Sequence, residues 1–149
     1  MTWVLGWPDG HERGEFLTID LGGTNIRTSW IVLKGRESET EVTGEEYKIP
    51  DELRTGEGED LFKFIAESLD DFIKKHELGG TPENPLQLGF TFSYPCHQDY
   101  IDHGKLVTWT KGLEVKGVEG NDAADMLRQA MAKRVCSIFA TLSIWLTLF

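Results

Sequence analysis

Two β-forming runs lie a single turn apart, and that proximity constrains the fold more than any other feature. Phe16-Leu17-Thr18-Ile19-Asp20 alternates apolar and polar residues, and Gly22-Gly23 closes it. Ile26 to Leu33 follows at once and is rich in β-branched and aromatic residues. Runs this close read as an antiparallel hairpin. Glu41 to Ile49 is a weaker third strand ended by Pro50, which makes a meander. Asp51 to Asp60 reads as an acidic, solvated loop. A helix is expected from about Asp60 to Glu77, because Leu61, Phe62, Ile65, Leu69, Phe72 and Ile73 recur on one helical face. Gly79-Gly80 is expected to end it, with Lys74, Lys75 and His76 in the last turn, where the dipole favours cations.

Pro82 to Pro85 is a connector, and Leu86 to Phe92 a fourth strand. A helix between two strands predicts a β-α-β crossover. After Ser93-Tyr94-Pro95 the chain reads as irregular and polar to Gly104, with a short strand over Lys105 to Trp109 and a loop from Thr110 to Gly120. A second helix is expected over Asp122 to Arg134, with Asn121 as its N-cap. The expected class is α/β.

Length and charge narrow the function classes. The 149 residues fit one domain and leave little room for two lobes of normal size. The net charge of −10 opposes general nucleic-acid binding and docking on anionic membranes. Two cysteines, Cys96 and Cys136, are too few for a disulfide scaffold. They read as free thiols in a reducing cytosol, and the N-terminus shows no secretory signal.

Three segments could carry chemistry. In Asp20-Leu21-Gly22-Gly23-Thr24-Asn25 an acidic residue ends a strand and a Gly-Gly-Thr turn follows. Glycines let backbone N–H groups approach an anion, a threonine hydroxyl adds a donor, and an aspartate can hold Mg²⁺ through water. The same residues also make a plain hairpin turn. Ser93, where Pro95 breaks the fourth strand, can bond a polar ligand or simply cap the turn. Thr110-Lys111, beside Trp109 and before Gly112, sets a hydroxyl and an ammonium side by side. That pair suits sugar hydroxyls and equally suits an ordinary surface loop. His97 and His103 flank Asp99 and Asp102 at a spacing that matches no standard metal pattern, and Cys96 follows no nucleophile pattern.

Taken in order, these segments resemble the hexokinase family. FLTIDLGGTNIR (Phe16–Arg27) resembles its first phosphate motif, and LGFTFSYPCHQDYIDHGKLVTWTKG (Leu88–Gly112) its sugar-binding signature. DHGKLVTWTKG and VKGVEGNDAADMLRQAMAKR lean towards the fungal glucokinases. The resemblance covers about Thr2 to Arg134 and implies the smaller lobe of a ribonuclease-H-like, actin-type ATPase fold. It also implies that a sugar hydroxyl attacks the γ-phosphoryl group of ATP, with a carboxylate taking the proton.

By the same resemblance, Asp20, Leu21, Gly22, Gly23, Thr24, Asn25 and Arg27 would approach the ATP phosphates and Mg²⁺, with Asp20 reaching the metal through water. Ser93, with the neighbouring Tyr94 and Pro95, and Thr110 and Lys111 would contact glucose. The expected partners are ATP and glucose or a related hexose, in the cytoplasm, with no nucleic acid and no membrane.

Two departures qualify the resemblance. The family's catalytic aspartate sits in an Asn-Asp-Thr motif downstream of the second helix, whereas the Asn-Asp of this chain, Asn121-Asp122, precedes the helix and is followed by Ala-Ala. No catalytic base is therefore assigned, the larger lobe is expected to be absent, and the chain alone is expected to be inactive. The rival reading is a non-catalytic glucose-binding or regulatory module. The second departure is the tail, VCSIFATLSIWLTLF, which carries no charge over Val135 to Phe149. It is expected to be an unrelated end, as from an unspliced intron or a shifted frame, which gives a division at 1–134 and 135–149. A native buried strand is a second reading. A membrane anchor is a weak third, since 15 helical residues span only about 22 Å.

Overall fold

The computed structural model describes residues 9–36, 39–79, 86–134 and 143–147. A meander of β1 (Arg13–Leu21), β2 (Asn25–Lys34) and β3 (Glu41–Lys48) leads through a 3-10 turn (Asp51–Arg54) to α1 (Gly58–Lys75). Then come β4 (Gln87–Phe92), the hairpin β5 (Cys96–Tyr100) and β6 (His103–Leu106), α2 (Ala123–Arg134) and β7 (Ser143–Thr147). The main sheet runs β3-β2-β1-β4-β7. β1 and β2 pair antiparallel with Leu17 opposite Trp30, whereas β4 lies parallel to β1 with Ile19 opposite Phe90. This is the expected crossover, and α1 supplies its helix.

The period-2 pattern decides which face is buried. Leu17, Ile19 and Leu21 of β1 and Leu88, Phe90 and Phe92 of β4 are all buried, and the residues between them are half-exposed. Leu61, Phe62, Ile65, Leu69, Phe72 and Ile73 of α1 enter the same core. Each such side chain, fully buried, contributes roughly 1.5–3 kcal/mol. Parallel neighbours end together, so β1 and β4 bring Leu21 and Phe92 side by side at one rim of the sheet. Ligand sites in sheets of this kind form at the carboxyl ends of strands.

Several boundaries differ from expectation for local reasons. Glycine does not end α1. Glu77 takes φ 52°, and the Leu78 N–H donates to the Ile73 carbonyl at 3.0 Å, which closes the helix within the polar residues. The helix also begins earlier, at Gly58, whose N–H is held by the Lys116 carbonyl at 2.8 Å. The N-cap of α2 is Asp122 rather than Asn121. Its Oδ1 accepts from the Ala124 N–H at 2.9 Å and from the Gly104 N–H at 3.1 Å. The Asn121 side chain instead donates to the Gly117 carbonyl.

The segment expected to be irregular forms the β5–β6 hairpin, with Tyr100 opposite His103. The expected strand over Lys105 to Trp109 is thus β6, shifted towards the N-terminus, and Val107 N–H donates to Pro95 O at 2.8 Å. Within the tail, the backbone of Ser143–Thr147 pairs parallel to β4. The connector at Pro82 to Pro85 and Cys136 lie outside the described residues. Among the described residues, no helix is long and apolar enough to cross a membrane.

Candidate functional site

The β1–β2 turn forms one wall of the site. The Gly22 N–H donates to the Asn25 carbonyl at 3.0 Å and closes the hairpin, and the Thr24 carbonyl accepts from Ile49 N–H at 2.8 Å. Among the described residues, no acceptor takes the Gly23 or Thr24 amide. Thr24 is exposed and Asp20 is partly exposed at the end of β1. Arg27 lies opposite Asp20 in the ladder, with its Nη1 3.5 Å from the Asp20 carboxylate. Glu46, on β3, completes this corner: it accepts from Asn25 Nδ2 at 2.5 Å and lies 3.4 Å from Arg27 Nη2. Glu46 lies outside all three sequence motifs. Its register opposite Arg27 is the signal that would have found it.

The second wall is the end of β4. Tyr94 N–H donates back to the Phe92 carbonyl at 2.9 Å, a tight kink that puts half-buried Ser93 at its apex. Tyr94 turns inward and is 2% exposed. Its hydroxyl donates to the Gly22 carbonyl at 2.8 Å. Burial, together with the Asp20 charge, pushes the Tyr94 phenol well above its ordinary range, so it remains a neutral donor. Pro95 is exposed at the rim.

The third wall is the loop after β6. Residues from Thr108 to Lys116, with Glu119, line an open groove of about 510 Å³. Trp109 anchors it. Its Nε1 donates to the Val115 carbonyl at 2.7 Å, and its ring stands edge-on to Tyr94 with centroids 4.8 Å apart. Lys111 and Gly112 both take left-handed backbone angles, φ 55° and 77°. Arg54 braces the bend, donating from Nη2 to the Gly112 carbonyl at 3.1 Å, while its own carbonyl accepts from Glu114 N–H. Arg54 lies in the segment read as solvated loop, and that reading is corrected: Asp51–Arg54 is a 3-10 turn that supports the groove. Thr110 and Lys111 are exposed.

The three walls meet. A Cβ placed on Gly23 would stand 2.5 Å from the Lys111 carbonyl oxygen, and Lys111 Nζ lies 5.5 Å from the Tyr94 ring centroid. Asp20–Asn25, Ser93–Pro95 and Thr110–Lys111 thus share one rim, with Arg27 one strand over. The remaining candidates stay outside it. His97 pairs with Asp99 at 3.2 Å and His103 with Asp122 at 3.0 Å, and the described residues hold no group of three or more ligands suited to a metal ion. Burial pushes the Cys96 thiol up to about 11, with the Asp122 charge adding to the effect, which opposes a reactive thiolate.

The Hexokinase family model matches residues 1–143, beyond Arg134 and into the tail. A hexokinase of Emericella nidulans is 46% identical over 134 residues, covering 90% of this chain and 27% of that protein. Human hexokinase-2 is 44% identical over 89% of this chain and 14% of its own length. The structure of Schistosoma mansoni hexokinase complexed with glucose superposes with a TM-score of 0.82 at 38% identity, covering 95% of this chain and 31% of that one. The chain therefore spans about a quarter of the length of the Emericella relative. On the matched family model and these identities, the chain belongs to the hexokinase family.

Proposed function

We propose that this chain supplies the smaller-lobe half of an ATP:hexose 6-phosphotransferase site, the site that moves the γ-phosphoryl group of ATP to the 6-hydroxyl of glucose at the start of glycolysis. The observation that carries the reading is the convergence of the Gly22-Gly23 turn, the Ser93–Tyr94 kink and the Thr110–Lys111 bend on one rim. The donor set fits a nucleotide phosphate with Mg²⁺. Gly23 and Thr24 offer amides without an acceptor among the described residues, Thr24 adds a hydroxyl, and the partly exposed Asp20 carboxylate suits a metal held through water. When bound, Mg-ATP supplies the phosphoryl group and neutralises its charge. Arg27, 3.5 Å from the Asp20 carboxylate, offsets its charge. Ser93, Thr110 and Lys111 would donate to and accept from hexose hydroxyls, which orients the sugar. The same reading places the protein in the cytosol.

Proton transfer needs a base within hydrogen-bond reach of the reacting hydroxyl. Asp20, the carboxylate of the phosphate turn, is engaged by Arg27, and the chain carries no Asn-Asp-Thr. The 149-residue chain is accordingly expected to bind glucose weakly and to phosphorylate none. Calorimetric titration with glucose and a coupled assay for glucose 6-phosphate, both on the purified chain, test this. Turnover would refute the half-site reading, and the absence of glucose binding would refute any role for the chain by itself, including the rival reading of a non-catalytic sugar-binding module.

A further inference from the structure

Tyr94 touches both halves of the site through different parts of one side chain. Its hydroxyl donates to the Gly22 carbonyl. Its ring takes the edge of Trp109 and lies under Lys111 Nζ. A buried phenol needs an acceptor, and Gly22 supplies one from 72 residues away in sequence. The choice of acceptor has a geometric consequence. The described residues contain no cis peptide, so in the planar trans unit joining Gly22 to Gly23 the C=O and N–H point in opposite directions. Fixing the Gly22 oxygen on Tyr94 therefore aims the Gly23 N–H away from Tyr94. That amide has no acceptor among the described residues. On its other side, the Lys111 carbonyl presses on Gly23 closely enough that a methyl group there would clash.

We propose that Tyr94 is a positioning residue that couples the two ligand sites: its hydroxyl sets the Gly23 amide for a phosphate oxygen, and its ring sets the Trp109–Lys111 bend for a hexose. The proposal rests on the functional reading above. A phosphate that tightens the Gly22–Gly23 turn also steadies Tyr94 and thus the bend. By linkage, the hexose must then strengthen phosphate binding by the same factor.

The test uses the full 149-residue chain with Tyr94→Phe, which keeps the ring, and Tyr94→Leu, which removes it. Without ligand, backbone amide exchange is followed residue by residue. In Tyr94→Phe the Gly22 amide should exchange about tenfold faster, with α1 amides unchanged. In Tyr94→Leu, exchange should also quicken across residues 109–113. A purely packing role would leave Tyr94→Phe like the wild type. With ligand, glucose is titrated with and without saturating Mg-ATP. The wild type should bind glucose about fivefold or more tightly with nucleotide present, and Tyr94→Phe should lose that ratio. Unchanged Gly22 exchange in Tyr94→Phe, or an equal ratio in both proteins, overturns the proposal. If the wild type binds neither ligand, the functional reading fails, and the exchange measurement still decides whether Tyr94 holds the turn.

Discussion

Gly23→Ala tests the closeness of the Gly22–Gly23 turn and the Thr110–Lys111 loop directly. The added Cβ would stand 2.5 Å from the Lys111 carbonyl oxygen and 3.0 Å from Lys111 Cβ. Ordinary contact begins near 3.4 Å, so one backbone must retreat by 3.4 − 2.5 = 0.9 Å. Gly23 has no positive φ, so alanine suits its backbone and the clash is the whole penalty. The loop resists the shift, because Trp109 is bonded to Val115, Arg54 holds Gly112, and Lys111 already sits at φ 55°. Overpacking of this kind costs roughly 1–3 kcal/mol, and the stiffer unfolded chain returns about 0.4–1. A net loss of about 1–2 kcal/mol is expected. With a urea slope of about 2 kcal/mol/M, the unfolding midpoint falls by roughly 0.5–1 M. Gly79→Ala serves as control, since among the described residues a Cβ there meets nothing within 4 Å, and it should leave the midpoint level or slightly raised. A Gly23→Ala midpoint at or above that of the wild type would refute the reasoning, because the loop would then have to lie farther from the turn than described.

Two further predictions concern the frame. Asp122→Ala removes the cap of α2 and the partner of His103, and should cost about 1–2 kcal/mol in urea unfolding, whereas Asp122→Asn, which keeps an acceptor, should cost less. Glu45 accepts from Lys75 at 2.8 Å and from His76 at 2.9 Å, and these hydrogen bonds hold its carboxyl below the ordinary 4.5. A depressed carboxylate contributes stability above its unfolded pKa and loses it as pH falls through the folded one. Thermal melts below pH 4.5 should therefore fall less steeply for Glu45→Gln than for the wild type, and parallel acid limbs would count against the bond.

What the sequence made legible follows from periodicity. β1, β4 and α1 bury one face each, so their apolar residues repeat at 2.0 or 3.6 and announce themselves. The β5–β6 hairpin does not, because Cys96 to Tyr100 is mostly exposed and polar and so lacks an alternating signal. Helix ends depart from expectation where a polar residue does the work of a better-known one. Glu77 took the left-handed position ahead of Gly79, and Asp122 capped α2 in place of its neighbour Asn121. The site shows the same division. Its glycines, hydroxyls and ammonium could be named from local pattern, because their chemistry lies in their type. Glu46, Arg54 and the Tyr94 hydroxyl could not, because their roles exist only in contacts 21, 58 and 72 residues away.

That division bears on what these 149 residues can do by themselves. The groups proposed to recognise ligand are backbone amides, hydroxyls and one ammonium, and the backbone that carries them is braced by contacts made within the described residues. Tyr94 orients the Gly22–Gly23 peptide, Arg54 and Trp109 fix the Thr110–Lys111 bend, and Glu46 holds Asn25 and Arg27. Preorganisation of this kind rests on contacts within the described residues, so the proposed binding geometry can persist in these 149 residues by themselves. Catalysis differs in kind, because it requires a base and two substrates enclosed together. A chain with aimed donors and no assigned base separates the two demands. Glucose affinity and glucose 6-phosphate formation, measured on the same preparation, should therefore part company.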